Sequence, residues 1–246
     1  MQALFLPEAS DYIASSAAES ISLAKSVEKS EFVLGLQKEA VSAKLPLSVG
    51  IHEPAEGGKK LKNTLIWIDD QGSIIHRYQK LHMFDIDIPG TVLRESDSVE
   101  KGMEIEPPYK SPLGNIGAMI CFDLRFPEIS LSLKRQGAEL FLYPSAFTVP
   151  TGRAHWETLL RARAIECEGY VIAAAQTGRH NEKRVSYGHT MVVDPWGKIV
   201  AQLGGTDKVA AEYEPEICFA EIDLSLVEKT RKEMPLLRRT DVYPEL

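Results

Sequence analysis

The sequence predicts an α/β fold built on mixed sheets. Three observations carry that reading. Apolar residues switch repeatedly between strand and helix spacing along the chain. Several strand-like runs meet through short turns that only antiparallel pairs allow, such as DDQG at 69–72. No GxGxxG or GxxxxGK[ST] run is present, which sets aside a plain doubly wound nucleotide-binding fold.

Each expected element has a local reason. The apolar run 3–6 suits a buried strand that stops at Pro7-Glu8. Residues 17–44, rich in Ala, Ser, Glu and Lys, read as one helix ending before Pro46. Strands follow at 47–52, 64–68 and 73–78, the first two separated by the polar loop EPAEGGKK. Residues 81–108 are irregular, and a loop that long in a compact domain tends to be functional. Beyond it come a strand at 116–121, a helix at 128–135 stopped by Gly137, a strand at 139–143 and a helix at 155–168. Strands at 170–175, 190–193, 199–202 and 217–222 and a helix at 224–234 complete the pattern.

The composition bounds the function. With 246 residues, a net charge of -7 and no basic stripe, the chain suits one acidic globular domain and is a poor partner for nucleic acid or anionic membrane. The three cysteines, Cys121, Cys167 and Cys218, are too few and too scattered for a disulfide framework, so a reducing, cytoplasmic setting is expected. The N-terminus lacks the pattern of a secretory leader, and no run of about 18 apolar residues could cross a membrane.

The run GNIGAMICFDLRFPE, 114–128, places Cys121 where a strand turns sharply into a helix, the kind of corner that presents hydrolase nucleophiles. Taken alone, a cysteine there is more often a small core residue. A reactive thiol near its free pKa needs a base or a cation beside it. None of the six histidines has a setting that marks it as that base. Two other groups stand at strand ends, Glu8 after ALFLP and Lys80 after IIHRYQ. Singly, Glu8 could cap a helix and Lys80 could be a surface charge. Together, a carboxylate can take the thiol proton and a buried ammonium can stabilise an oxyanion.

At FLPEA, YQKLHMFD, ICFDLRFPE and YGHTMVVDPWGK the chain resembles the nitrilase (carbon–nitrogen hydrolase) superfamily. The resemblance implies a four-layer α-β-β-α sandwich with two mixed sheets, over a single domain spanning 1–246. It implies Glu8 as general base, Lys80 as oxyanion donor with the Phe122 N–H, Cys121 as nucleophile and Glu95 as a supporting carboxylate. It also implies a homodimer and a small-molecule amide substrate, with no metal and no organic cofactor. The segments PSAFTVPTGRAHWETLLRARAIE and AAAQTGRHNEKRVSYGHTMVVDPWG are similar to the branch that cleaves the amide of deaminated glutathione, which implies hydrolysis to an acid with ammonia as the expected departing group. The ω-amidase branch, acting on 2-oxo acid amides, is similar around the triad and less so at AAAQTGRH.

Arg125 suits a substrate carboxylate, or it pairs with Asp123 or Glu128. Phe147 and Thr151 match substrate-lining positions, whereas His155 and Trp156 read as helix packing. RHNEKR, 179–184, reads as a solvated loop or as a binder of a peptide-like substrate. Relatives usually carry a further strand and helix before the strand that leads to the glutamate. Their absence here predicts a neighbouring strand with unpaired ladder groups, and a start codon or targeting segment upstream that would allow a mitochondrial form. It also keeps open a weakly active binding or scaffold protein on the same fold.

Overall fold

The computed structural model describes residues 1–88, 91–206 and 215–244. Two mixed sheets form its centre. In the first, β1 (Leu4–Phe5) runs parallel to β2 (Leu47–Pro54), and β2, β3 (Leu61–Ile68) and β4 (Ile74–Gln79) follow as antiparallel neighbours. The short β5 (Val99–Glu100) joins β3 in parallel. The second sheet holds β6 (Tyr109–Ser111), β7 (Gly114–Ala118), β8 (Leu140–Leu142), β9 (Tyr170–Ala173), β10 (Met191–Val193) and β11 (Ile199–Gln202) side by side in chain order. Its parallel centre, β7-β8-β9, pairs Ile116 with Leu140 and Leu140 with Tyr170.

Strand alternation sorts the layers. Ile66 and Ile68 of β3 join Val49 and Ile51 of β2 in a core beneath helix α2 (Glu31–Ala43). Leu65 and Trp67 face the other way, into the core shared with Ile116, Leu140 and Ile172 of the second sheet. Helices α3 (Pro127–Arg135) and α4 (Val149–Cys167) cover the far face, with Leu133, Trp156 and Leu160 buried. The result is the expected α-β-β-α sandwich. Among the described residues no helix is long and apolar enough to cross a membrane.

Three local expectations are corrected. The single helix over 17–44 is two, α1 (Ala17–Leu23) and α2, because Ser16 and Ser30 each cap a helix start and Val27 drops into the core between them. The irregular stretch after Lys80 contains the hairpin Asp85–Ile88/Thr91–Arg94, and residues 179–184 form the tip of the hairpin Thr177–Arg179/Val185–Tyr187. The strand expected at 217–222 is not formed. A ladder needs a neighbour in register, and this segment pairs with no strand; it lines a cleft of about 1240 Å³ together with Leu4, Phe5 and Leu6 of the edge-strand region.

Helix α5 (Leu224–Glu233) is fastened by Arg231, whose guanidinium donates to the carbonyls of Ala138, Glu168 and Cys167 at 2.6, 3.1 and 3.3 Å. These carbonyls lie at or just past the ends of α3 and α4, where helices leave acceptors unsatisfied. Arg231→Ala should therefore destabilise the fold by about 2 kcal/mol, read from the midpoint of urea unfolding at unchanged m-value.

Candidate active site

Three strand ends converge on one rim. β1 delivers Glu8, β4 delivers Lys80, and the extension of β7 delivers Cys121. Cys121 has a left-handed backbone, φ 49°, and its N–H donates to the Pro144 carbonyl at 3.0 Å. A non-glycine residue at positive φ is a stored strain, and here it turns the thiol out of the sheet into the pocket. The chain then winds into a short 3-10 turn, Cys121–Arg125, and on into α3.

Glu8 is held from below by an unusually close backbone approach. A Cβ on Gly50 would lie 2.5 Å from the Cα of Glu8 and 2.9 Å from the Pro7 carbonyl. Gly50 N–H donates to that carbonyl, and Ser10 N–H donates back to the Gly50 carbonyl. Only glycine lets β2 and the Pro7–Ser10 segment pass at this distance.

The site is a dense cluster of charge. Lys80 Nζ donates to Glu8 Oε1 at 3.0 Å and to both carboxylate oxygens of Glu95 at 2.9 Å. Asn63 Nδ2 donates to Glu8 Oε1 at 2.8 Å and to Glu95 Oε1 at 3.3 Å, and the Ala146 N–H donates to Glu8 Oε2 at 2.8 Å. Phe84 N–H fixes the other Glu95 oxygen. Glu8, Lys80 and Cys121 are all buried.

The ionisation states follow from this packing. Burial alone would raise the Glu8 pKa, but the Lys80 ammonium and hydrogen bonds from Cys121, Lys80 and Asn63 bring it below the ordinary carboxylate value. Burial opposes charge on Lys80, and the Glu8 and Glu95 carboxylates overcome it, leaving the ammonium well above its usual value. Burial and the Glu8 charge push the Cys121 thiol well up against the opposing pull of Lys80. The resting site therefore has an ionised Glu8, a cationic Lys80 and a protonated thiol.

A buried carboxylate locks the corner to the strand that carries Lys80. Asp123 accepts from Tyr78 Oη at 2.6 Å, from Ile120 N–H and His82 N–H at 3.0 Å, and lies 2.9 Å from His82 Nδ1. His82 in turn stacks on Phe126 with ring centroids 3.5 Å apart. Arg125 thus has neither Asp123 nor Glu128 as its bonded partner. Its guanidinium meets His155 Nδ1 at 3.2 Å and sits over the Phe122 and Phe147 rings.

Cys121, Glu8, Lys80, Glu95, Arg125, Phe122, Phe147 and Thr151 all line one pocket of about 310 Å³, so the structure brings every candidate residue together. Thr151, in the first turn of α4, is bound to Thr148 through their hydroxyls at 2.8 Å. Trp156 packs as expected, donating to the His189 carbonyl. Sequence reasoning missed Asn63, Asp123 and Gln176, whose side chain donates to the carbonyls of Glu8 and Ala9. The available signal for the first was a polar residue inside the otherwise apolar strand LKNTLIWI. Among the described residues no group of His, Cys, Asp and Glu side chains is arranged to hold a metal ion.

Comparison with known proteins agrees with this geometry. Residues 1–232 match the family described as carbon-nitrogen hydrolase. The chain is 46% identical over 245 residues to a probable hydrolase, nit2, of Schizosaccharomyces pombe, covering 99% of this chain and 87% of that protein. It is 45% identical over 250 residues to deaminated glutathione amidase of Mus musculus, covering 98% and 74%. Among solved structures, the nitrilase–fragile histidine triad fusion protein NitFhit of Caenorhabditis elegans superposes with a TM-score of 0.89 at 46% identity, covering 98% of this chain and 57% of the fusion. The present chain therefore spans little more than half of that protein's length.

Gly50→Ala is a sensitive probe of the Glu8 position. The added methyl must displace the Glu8 backbone, and a misplacement near 1 Å at a reacting group can cost about 100-fold in rate. The variant should lose about that factor in kcat while circular dichroism still reports a folded protein.

Proposed function

The chain belongs to the carbon–nitrogen hydrolase family, and on that premise we propose that it cleaves the amide of deaminated glutathione through a thioester on Cys121. The observation that carries the reading is a buried Lys80–Glu8 ion pair, 3.0 Å long, in the same pocket that the buried Cys121 lines. Glutathione has one free amine, on its γ-glutamyl residue. Deamination there leaves a 2-oxo acid joined by its distal carbonyl to cysteinylglycine. The amide nitrogen that departs is then the cysteinyl amine, which corrects the expectation of ammonia.

The steps follow from the positions of the protons. Glu8 takes the thiol proton as Sγ forms a bond to the amide carbon, so a free thiolate need not accumulate. Charge passes to the carbonyl oxygen, where Lys80 Nζ and the Phe122 N–H are the donors. Glu8 returns the proton to the amide nitrogen as the C–N bond breaks, leaving a thioester and a free amine. Glu8 next removes a proton from water, which attacks the thioester, and then returns a proton to Sγ as the acid leaves. Glu95 keeps Lys80 charged and aimed between these steps. Arg125, half-buried with no carboxylate bonded to it, is the receptor for the 2-oxo acid carboxylate, and Phe147 and Thr151 shape the acyl side.

The same reading includes a homodimer and a reducing, cytoplasmic setting. Exposed Ile165 on α4 and exposed Trp196 beside it, in the turn whose Gly197 packs on Ile165, supply an apolar patch for the pairing. All three cysteines are free. Light scattering should give twice the 27.3 kDa chain mass, and a value at the chain mass would remove the dimer.

Cys121→Ala should release no cysteinylglycine from deaminated glutathione and form no thioester by mass spectrometry. Lys80→Met should lower kcat by about 10²–10³, the usual effect of losing one oxyanion donor.

The pH profile has a fixed sign. Glu8 must be ionised to act and its pKa is lowered, so kcat/KM should hold as pH falls until the ordinary carboxylate value, 4.5, has been passed. The stability that Glu8 contributes follows the same direction, present above its unfolded pKa and lost as pH falls through the folded one. An acid-side inflection near pH 6 would contradict the assignment of Glu8.

A further inference from the structure

The pocket's charge is out of keeping with the chain. Its walls carry Lys80, Arg94, Arg125, Lys183 and Arg184 against only Glu8 and Glu95, within a protein of net charge -7. Lys80 is consumed by the two carboxylates at the floor. Arg94 lies opposite Asp85 in its hairpin, whose carboxyl is lowered against burial by Ser96 hydrogen bonds and then by the Arg94 charge. Arg125 is engaged with His155 and two aromatic rings. Lys183 and Arg184 have no ion-pair partner among the described residues.

Lys183 and Arg184 are nonetheless held in place. They sit at the tip of the hairpin Thr177–Arg179/Val185–Tyr187, where the Asn181 side-chain oxygen accepts from both of their N–H groups at 3.0 Å. The Arg184 carbonyl accepts from His180 N–H at 2.9 Å, closing the turn. Asn181 Nδ2 then donates to the Ile13 carbonyl at 3.2 Å. Ile13 belongs to the 12–17 segment that lines the same pocket. The backbone of the basic tip is thus tied to another segment that lines the same pocket, with Lys183 exposed and Arg184 half-buried.

We propose that Lys183 and Arg184 are the specificity residues for the terminal carboxylate of the leaving peptide. This rests on the amidase reading above and extends it to the other half of the substrate. A 2-oxo acid joined to a dipeptide carries a carboxylate at each end, and the pocket has two separate cationic receptors. Arg125 is four residues from the nucleophile and serves the acyl end. The dipeptide beyond the scissile amide spans about 7 Å when extended, so its carboxylate falls toward the mouth. A charged hydrogen bond there is made equally in ground and transition states, so it acts on KM and leaves kcat alone.

The test compares deaminated glutathione with the same compound bearing a C-terminal carboxamide, using the wild type and K183Q/R184Q. The ratio of the two kcat/KM values does not depend on the fraction of enzyme that is folded. The wild type should favour the free acid by about 10-fold or more, through KM, and the double variant should lose that preference. Equal kcat/KM on acid and amide in the wild type, or an unaltered preference in the variant, would overturn the assignment while leaving the amidase reading intact. Release of neither cysteinylglycine from the acid nor cysteinylglycinamide from its carboxamide by the wild type would overturn both.

Discussion

Lys80 holds the site together. A single buried ammonium lies between two carboxylates that could not otherwise share so small a space in their charged forms. Each carboxylate also needs backbone or amide donors, and Asn63, Ala146 and Phe84 supply them. Removing one partner from such a cluster strands the others as uncompensated buried charge, which is why buried ion groups are far more costly to break than to replace whole. In the proposed reaction the same ammonium serves the oxyanion. Glu95 has no bond-making part in that scheme. It supplies the second negative charge that keeps Lys80 protonated while Glu8 gains and loses a proton.

The two sheets exist, in functional terms, to bring this cluster to one rim. Glu8 and Lys80 come from the first sheet and Cys121 from the second, so the catalytic distances depend on how the sheets face one another. The core between them, with Trp67 and Tyr78 against Ile116 and Leu140, fixes that spacing. Asp123 crosses the join directly, taking hydrogen bonds from Tyr78 and His82 on one side and from Ile120 on the other. The strained corner at Cys121 is therefore braced from the sheet that carries its partners.

Much of this was legible in the sequence, and the failures have physical causes. Strand ends were readable because apolar runs stop abruptly at Pro7-Glu8, Lys80 and Cys121. The convergence of those ends was not readable from spacing, since it depends on sheet order and register. Asn63 escaped notice and Asp123 was given the wrong partner because a buried polar residue looks like any other until its partners are known. Gly50 gave no signal at all, because a close backbone approach leaves no trace in the pattern around it. The strand expected at 217–222 had the right residues, but a strand is a pairing and not a composition. The hairpin tip at 179–184 looked like solvated loop because its charges are real, while the Asn181 anchor to Ile13 spans 168 positions.

The protonated state of Cys121 has a consequence for chemical durability. Peroxides and alkylating agents attack thiolates, and protein cysteines with low pKa values are the ones lost to oxidation. Here burial and the neighbouring Glu8 keep the sulfur in its inert form until a carbonyl carbon is in place to receive it. In the proposed reaction the sulfur is thus stored disarmed, and its activation is coupled to the arrival of its target.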